Sequence, residues 1–494
     1  MEIGYWLFNN DMSTVSFDVR EKGTVKSVRE CILTIDGLPS GLNGQIVELK
    51  QGGRGMVTGF KENEVQVLVL NSKSPIRTGD EVFSRGESLH LPVGDAFLGR
   101  VVNGLCEPVD GRGAIAQNAL YPVFRDAPGV MDRVPLKETL ETGTLLINAV
   151  IPIARGQREL LIGDRLTGKS TVALDAILNQ KGKDVICIYC CIGKTGSSLN
   201  KVLNLLCQKG AMEYSIVVNA VASCSMGEQY IAPYTAAMLG EYFMYNGKHV
   251  LVVFDDLTRH AWAYRQICLL LERAPGREAY PGDIFYIHSQ LVERAAYLKP
   301  ELGSGSMTFL PITEILQGDV TGFVSSNLIS MTDGQIYFNI TLFNKGIKPA
   351  IDFGLSVSRI GSKAQWPAMK ALSERLKLEY IQYQELLQMT QLRTAGLSKE
   401  AEEKIKRGQV ITQLLIQDKN KPLPMEGEII LLFCLSTGVL DTLPLEDLKK
   451  FKEGFIEKIK EWYPEVFNDL RTTHVLGDNS LEKLYEALGK YFGS

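Results

Sequence analysis

The sequence lacks an excess of charge of either sign. Its 494 residues contain 53 lysines and arginines against 57 aspartates and glutamates, which gives a formal net charge of −4. Proteins that bind nucleic acid or anionic membrane surfaces usually carry a basic excess or a basic stripe. The near-balance of charge therefore gives no electrostatic reason to expect a nucleic-acid or lipid-surface partner.

The sequence also lacks the apolar runs that membrane insertion requires. No run approaches the roughly 18 apolar residues of a membrane-spanning helix. The first residues, MEIGYWLFNNDM, have an acid at position 2 and no basic region ahead of the apolar residues. This is not the pattern of a signal peptide, so we expect a chain that is soluble on its own.

The cysteines lack the spacing of a metal site or a disulfide framework. The nine cysteines are odd in number and scattered, and the one CxxC spacing, Cys187 to Cys190, lies inside the apolar run VICIYCCIG. Zinc sites and disulfide frameworks have regular cysteine or histidine spacings. We therefore predict buried free thiols in a reducing compartment, and no zinc or redox site.

What is present is a globular composition, with 45% hydrophobic and 22% charged residues. The length is enough for about three domains. From about residue 18, short β-branched runs punctuated by glycine predict an antiparallel β-barrel. Further on, near-continuous apolar runs alternate with helical stretches, as in a parallel sheet covered by helices on both faces.

The β pattern fades after residue 365, and apolar residues then recur at helical spacing. We expect this stripe to form part of a core. Its members are Leu372, Leu376, Tyr380, Tyr383 and Leu387. The fold class predicted from these patterns is multidomain α/β, with a barrel at 1–87, a parallel-sheet domain at 88–365 and a helical domain at 366–494.

The strongest motif follows the apolar run ELLIG. The segment GDRLTGKS has two glycines with four residues between them, then a lysine and a serine, and the helical pattern TVALDAILNQ comes next. The glycines allow backbone N–H groups to surround phosphate oxygens, the lysine reaches the β- and γ-phosphates, and the serine hydroxyl ligates Mg²⁺. We predict a site for ATP or ADP with Mg²⁺. The predicted contacts in the loop are Gly163, Asp164, Leu166, Thr167, Gly168, Lys169, Ser170 and Thr171.

A second motif, HVLVVFDD, lies about eighty residues later and ends in Asp255 and Asp256. A carboxylate at the carboxyl end of a strand beside a phosphate loop holds Mg²⁺ through the metal's water shell. An apolar run that ends in aspartate is weak evidence alone, because strands often end in aspartate at a turn. Together with the phosphate loop it predicts that Asp255 acts with Ser170 at the metal.

A catalytic carboxylate is missing where one is expected. Many ATPases with this loop use a carboxylate on a neighbouring strand to orient or deprotonate the attacking water. Here the strand-like run CIYCCIG is followed by Lys194 and Thr195. A protonated lysine attracts phosphate but cannot accept a proton from water. The sequence therefore predicts nucleotide binding without appreciable hydrolysis.

From about residue 18 to the end, the sequence closely resembles the α subunits of the F-type ATP synthase family. The segments that carry the resemblance are IPIARGQRELLIGDRLTGKS, VVFDDLTRHAWAYRQ, LERAPGREAYPGD, MTDGQIYFN and PAIDFGLSVSRIGS. The resemblance implies a crown barrel, a central RecA-like nucleotide domain and a helical domain. It also implies a peripheral membrane protein on the cytoplasmic face, or the equivalent matrix or stromal face, of an energy-coupling membrane.

The resemblance further implies partners. It implies β subunits in an alternating α3β3 ring, a rotating γ shaft, and a peripheral-stalk subunit of the delta (OSCP) type, in a complex that couples ATP synthesis or hydrolysis to H⁺ or Na⁺ transport. The N-terminal segment is short and aromatic, with Tyr5, Trp6 and Phe8, and lacks the helical extension that normally docks on the stalk. This segment therefore gives no support to the stalk attachment that the resemblance implies.

By the same resemblance, Arg359 corresponds to an arginine finger that reaches into the catalytic site of the neighbouring β subunit. Ser356 and Ser358 would brace the end of its strand. Arg165 would add phosphate contacts. The residues implied near the adenine are Phe343, Lys348, Pro349, Gln417 and Lys419.

Three positions depart from the family pattern, because Leu166, Lys194 and Lys419 stand where glutamine is usual. Two alternatives share the same layout. A hexameric RNA-translocating motor also combines a barrel with a phosphate loop, but its barrel would need basic and aromatic residues. An autonomous secretion-type ATPase would need a carboxylate at position 194.

Overall fold

A computed structural model describes residues 20–392 and 399–493. Tyr5, Trp6 and Phe8, with the predictions made for the N-terminal segment, lie outside the described residues. The chain forms two compact units. One comprises the described residues up to Pro128 with Ile188–Asn246 and Val252–Arg294, and the other comprises Gly129–Cys187, Gly247–Leu251 and the described residues from Ala295 onward.

The first strands close into an antiparallel barrel with the order β1-β2-β5-β4-β3-β6. Its core is aliphatic and includes Leu33, Ile35, Val47 and Val67, each fully buried. This confirms the predicted barrel. The strands are β1 Glu21–Arg29, β2 Ile32–Asp36, β3 Gln45–Leu49, β4 Gly53–Lys61, β5 Glu64–Ser72 and β6 Glu81–Ser88.

After the barrel, strands alternate with helices. The strands are β7 His90–Val93, β8 Val101–Asn103, β9 Ala119–Pro122, β10 Glu159–Asp164, β11 Val185–Ile192, β12 Ser215–Ala220, β13 His249–Asp255, β14 Ala296–Tyr297, β15 Ser306–Ile315, β16 Gly334–Phe338 and β17 Val357–Ser358. The helices are α1 Leu145–Val150, α2 Lys169–Leu178, α3 Gly196–Gln208, α4 Met226–Tyr245, α5 Leu257–Leu270, α6 Ile284–Val292, α7 Phe323–Met331 and α8 Ile340–Asn344.

The large sheet that follows the barrel contains parallel pairs in both units. In the second unit the order is β17-β16-β10-β15, with β10 parallel to both of its neighbours. In the first unit the strand order is β13-β11-β12-β8, and β13 and β11 contribute only their carboxyl-terminal parts. Strand β12 is parallel to β8. Every residue of β10 is buried, as expected for a parallel strand covered on both faces. The predicted parallel-sheet domain is confirmed.

The last region is helical, as predicted. Its helices are α9 Pro367–Ser373, α10 Leu376–Leu392, α11 Lys399–Leu415, α12 Met425–Ser436, α13 Leu445–Trp462, α14 Pro464–Thr473 and α15 Asp478–Phe492. Helices α10 and α11 pack closely at Gly408, where an added Cβ would lie 2.0 Å from Cγ of Tyr383. No helix in the described part of the chain is long and apolar enough to cross a membrane.

The predicted apolar stripe is only partly a core feature. Leu376, Tyr380 and Tyr383 are buried, whereas Leu372 and Leu387 are partly exposed. The stripe does not belong to one helix, because α9 ends at Ser373 and α10 begins at Leu376. The break between the two helices interrupts the helical spacing, which the sequence pattern alone does not reveal.

Helix α12 runs through the middle of this region, and Glu428 lies on it with no exposed surface. The side-chain amide of Asn148 donates to Oε2 of Glu428 at 2.8 Å. Burial is the main cause that raises the pKa of Glu428 to about 8. At neutral pH this side chain is therefore mostly the uncharged acid.

The variant Glu428→Gln is expected to flatten the dependence of stability on pH. An exposed glutamate titrates near 4.5 and the folded one near 8, so between these values the unfolded chain releases a proton that the folded chain keeps, and stability falls as pH rises. Glutamine resembles the uncharged acid and should remove a loss on the order of 3 kcal/mol, at about 1.4 kcal/mol per pKa unit. Denaturant unfolding at pH 5 and pH 8 measures the change in the free energy of unfolding between these pH values. The exposed Glu446→Gln on α13 is the control. The prediction would be contradicted if the free energies of unfolding of wild type and Glu428→Gln changed with pH in parallel.

Candidate nucleotide-binding site

The phosphate loop connects the end of β10 to the start of α2. At Gly163 an added Cβ would lie 2.4 Å from the carbonyl oxygen of Phe338, so only glycine fits. Gly168 has φ 101°, a left-handed conformation that side chains disfavour. Both glycines of the motif are therefore required by the shape of the loop, as well as by any ligand.

Lys169 points back into the loop and is buried. Its ammonium group donates to the carbonyl oxygens of Gly163 at 2.8 Å and Asp164 at 2.6 Å. The hydroxyl of Thr167 also donates to the Asp164 carbonyl, at 2.7 Å. Phosphate oxygens would offer the ammonium group anionic partners in place of neutral carbonyls, which adds the attraction between opposite charges.

The other loop residues divide into inward and outward positions. The Asp164 carboxylate is buried and its Oδ1 accepts the N–H of Gly318 at 3.1 Å. Ser170 and Thr171, at the start of α2, are partly buried. Arg165 is exposed, and Leu166 is 82% exposed with φ 64°. The departure from glutamine at Leu166 therefore changes the exposed tip of the loop.

Four of the five residues predicted near the adenine lie together in the second unit. The ammonium group of Lys348 lies 4.5 Å from the centre of the Phe343 ring, and Pro349 follows directly. The backbone N–H of Gln417 donates to the carbonyl oxygen of Lys348 at 2.8 Å. Lys419 is exposed two residues further along.

The side chain of Gln417 is already engaged within the protein. Its amide nitrogen donates to the carbonyl oxygens of Gly143 at 2.7 Å and Lys421 at 2.9 Å, and its oxygen accepts the N–H of Leu145. Both amide hydrogens are thus used. In this structure Gln417 fixes the backbone of its own segment against residues 143–145.

The Arg359 side chain is exposed, while its backbone is held firmly. Its N–H donates to the carbonyl oxygen of Asp333 at 2.8 Å. The buried Ser356 hydroxyl accepts the N–H of Tyr337 at 2.9 Å, and the Ser358 hydroxyl donates to the carbonyl oxygen of Pro152 at 2.9 Å. Within residues 20–392 and 399–493, the Arg359 side chain has no ion pair.

The sequence analysis missed two acidic residues around Arg359. Asp333 pairs with Arg158 through two hydrogen bonds, of 2.9 and 2.7 Å, while its carbonyl holds Arg359. Glu159 is fully buried, and burial raises its pKa well above the usual value, while the charge of Arg359 acts in the opposite direction. The segment MTDGQ marked Asp333 as part of a motif, but no sequence signal distinguishes a buried glutamate at the start of β10.

In the first unit, Asp255 is a fully buried carboxylate at the end of β13. The hydroxyl of Tyr189 donates to its Oδ2 at 2.5 Å, and the ammonium group of Lys194 forms an ion pair with its Oδ1. Burial, followed by the negative charge of Asp255, raises the pKa of Tyr189 well above its usual value. The sequence analysis assigned Lys194 to the missing carboxylate position but missed this pairing and Tyr189.

Asp256 has a different role from its neighbour. Its Oδ1 accepts the N–H of Arg259 at 2.9 Å and so caps the N-terminus of α5. The two adjacent aspartates of the motif therefore serve separate purposes.

The cysteine prediction is correct in part. All nine cysteines are free, and seven of them are buried. Cys207 is exposed and Cys224 is partly exposed, so the prediction of buried thiols is wrong for Cys207. This residue lies on the solvent side of α3, whose amphipathic pattern buries only Leu199 and Leu206. No group of three or more metal-ligating side chains occurs among the residues that the structure describes.

Comparisons with known proteins agree with this geometry. Residues 143–358 match the sequence model described as ATP synthase alpha/beta family, nucleotide-binding domain, and residues 365–491 match ATP synthase alpha/beta chain, C terminal domain. A protein of Wolinella succinogenes named ATP synthase subunit alpha is 44% identical over 481 residues, covering 97% of this chain and 96% of the relative. The chain belongs to the ATP synthase alpha/beta family. The recognition of an α-type chain is thereby confirmed.

Other members of the family are similarly close. A protein of Streptococcus equi subsp. equi, also named ATP synthase subunit alpha, is 46% identical over 458 residues, which is 93% of this chain and 91% of the relative. A protein with the same name from Streptococcus equi subsp. zooepidemicus has the same identity and coverage. These near-full-length matches favour an α-type chain over the RNA-motor and secretion-type alternatives.

Proposed function

We propose that this chain is the non-catalytic nucleotide-binding subunit of a rotary ATP synthase. It binds Mg-ATP or Mg-ADP at its own phosphate loop with little or no turnover, and it supplies Arg359 to the catalytic site of an adjacent β subunit. The observation that carries the first part is the phosphate loop combined with a lysine at position 194. A protonated lysine at that position cannot act as a general base toward an attacking water.

The nucleotide would bind along the loop and start of α2. Backbone N–H groups of 163–168 and the ammonium group of Lys169 would hold the phosphates, and the N-terminus of α2 favours their negative charge. The hydroxyl of Ser170 fits a Mg²⁺ ligand, because Mg²⁺ prefers oxygen donors and keeps several waters. The metal, when bound, neutralises phosphate charge. Phe343 and Lys348 would contact the adenine.

The role of Arg359 is carried by its exposed side chain on a fixed backbone. A guanidinium group stabilises the charge that develops on the transferred phosphoryl group only if it is held in place beforehand. Ser356 and Ser358 anchor the strand that ends beside Arg359, as their bonds to Tyr337 and Pro152 indicate. Ser356 is therefore proposed as a residue required for activity through positioning.

The assembly proposed is an alternating ring of α- and β-type chains around a γ shaft, with a delta-type stalk subunit, on the cytoplasmic, matrix or stromal face of an energy-coupling membrane. The complex would couple ATP synthesis or hydrolysis to H⁺ or Na⁺ transport. The domain boundaries at 87 and 365 are part of this proposal. The support is the close similarity, over nearly the whole chain, to proteins named ATP synthase subunit alpha.

An ATPase assay on the purified chain, with and without its β partner, tests the proposal. We expect no appreciable turnover by the chain alone and multisite turnover once β is added. A chain that hydrolyses ATP as fast alone as in the complex would overturn the non-catalytic role. A chain that shows strong, salt-dependent binding to RNA would instead favour the RNA-motor alternative.

A further inference from the structure

The strand end that carries Arg359 lies in one row with a buried glutamate. Glu159 is the first residue of β10 and pairs with Gly334 of β16, which in turn pairs with Ser358 of β17. Arg359 follows Ser358 directly in the chain. The row therefore crosses three neighbouring strands, and all of its members belong to the second unit.

Gly334 leaves room for the carboxylate of Glu159 in the middle of this row. A Cβ added at Gly334 would lie 2.5 Å from Oε2 and 2.8 Å from Oε1 of Glu159. The carboxylate therefore occupies the space over β16 that a side chain would otherwise fill. The side-chain amide of Gln157 donates to Oε2 of Glu159 at 2.7 Å and to the hydroxyl of Ser358 at 3.3 Å. One bridging side chain thus joins this carboxylate to the residue before Arg359.

The second oxygen of the Glu159 carboxylate is available to a further donor. Glu159 is fully buried, and among the residues that the structure describes its Oε1 has no hydrogen-bond partner. The ionised form of a buried carboxylate is stable only if a cation or hydrogen bonds compensate the charge. Oε1 therefore offers an acceptor and a negative charge to a guanidinium group near this row.

Arg359 is the cation that acts on this carboxylate. Burial is the main cause that raises the pKa of Glu159, and the negative charge of Asp333 adds to the rise. The hydrogen bond from Gln157 and the positive charge of Arg359 oppose the rise. The carboxylate of Asp333 is already compensated by Arg158, through two hydrogen bonds of 2.9 and 2.7 Å. The attraction of Arg359 is therefore directed toward Glu159.

We propose that Glu159 is a positioning residue for Arg359, whose negative charge draws the guanidinium group toward the end of β17 and restricts the orientations of its side chain. A long arginine side chain in solvent has many rotamers, whereas a guanidinium group stabilises a transition state best when it is held in place beforehand. Glu159 acts only through Arg359 and does not touch the nucleotide. The inference rests on the proposed role of Arg359 in the neighbouring β subunit.

The test is ATP hydrolysis by the complex with β, measured as release of γ-labelled phosphate, for Glu159→Gln alone and combined with Arg359→Ala. Glutamine has the shape of the uncharged acid and still accepts the hydrogen bond from Gln157, so the variant should fold. Glu159→Gln is expected to lower kcat by about tenfold at pH 8.5, with KM unchanged. The loss should be smaller at pH 6.5, because burial keeps more of the wild-type side chain uncharged there. With Arg359→Ala already present, Glu159→Gln should have no further effect.

Two controls separate positioning from damage to the fold. The exposed Glu374→Gln removes a carboxylate elsewhere in the same unit and should leave kcat unchanged at both pH values. Isothermal titration with Mg-ATP should show unchanged nucleotide binding to Glu159→Gln itself, because Gly163 lies four residues further along β10, roughly 13 Å away at about 3.3 Å per residue. Weakened binding there would indicate a disturbed β10 and would contradict a role through Arg359.

The outcomes separate this inference from the proposed function. Turnover near the wild-type rate in Arg359→Ala would overturn the proposed role of Arg359 and the role of Glu159 with it. Only the role of Glu159 is overturned if Arg359→Ala is impaired while Glu159→Gln is as active as the wild type. The same holds if Glu159→Gln lowers kcat equally with and without Arg359, or equally at both pH values.

Discussion

The variant Arg359→Ala is expected to reduce steady-state ATP hydrolysis by the complex of this chain with its β partner by a factor on the order of 10³ to 10⁵. The guanidinium group has no ion pair within the described part of its own chain, although its charge opposes the burial that raises the pKa of Glu159. Its backbone bond to Asp333 does not involve the side chain and remains in alanine. The effect should therefore appear in turnover and not in folding.

The same variant should leave nucleotide binding to this chain unchanged, which distinguishes a role in the neighbour's site from a role in its own. The exposed Lys363→Ala, four residues further along, removes a nearby cation and serves as the matched control. Steady-state ATPase and equilibrium nucleotide binding are measured on both variants. Turnover near the wild-type rate in Arg359→Ala, or a loss of binding as large as its loss of turnover, would contradict the assignment.

The second large effect is expected for Lys169→Ala, which should weaken ATP binding to this chain by at least about 10²-fold, because it removes charged hydrogen bonds to two phosphates. The ammonium group is buried and donates to the carbonyl oxygens of Gly163 and Asp164. Both of these hydrogen bonds go to neutral carbonyl oxygens of the loop. The variant should therefore remain folded while it loses the ligand.

The control for Lys169→Ala is Lys181→Ala, which removes an exposed lysine just beyond α2. Isothermal titration with Mg-ATP measures affinity, and circular dichroism checks that both variants are folded. Equal affinities of Lys169→Ala and wild type would show that ATP does not bind at the phosphate loop. A parallel loss in Lys181→Ala would show that the effect is one of general charge.

The sequence predicts the order of barrel, parallel sheet and helices because each has its own hydrophobic period, and the buried run of β10 next to a glycine loop is a strong local signal. Pairings between distant residues are less accessible. Neither the bond from Tyr189 to Asp255 nor the burial of Glu428 beside Asn148 follows from spacing, because each depends on which strands and helices become neighbours. The break between α9 and α10 was missed because the apolar spacing continues across it.

At the candidate site, the sequence identifies residue types but not their states. Lys194 is predicted as a cation beside phosphates, whereas the structure shows it bound to Asp255. Gln417 is implied near the base, whereas its side chain holds residues 143–145 in place. The positions were predictable because the motifs are local, and the partners were not because they come from other segments.

The proposed function requires this chain to bind ATP without hydrolysing it. The most direct measurement is the fate of γ-labelled ATP bound to the purified chain in the absence of β, followed by quenching and separation of ATP from phosphate. We expect the bound label to remain ATP over times in which the complex with β completes many turnovers. Release of labelled phosphate from the chain alone at a rate comparable to that of the complex would contradict it.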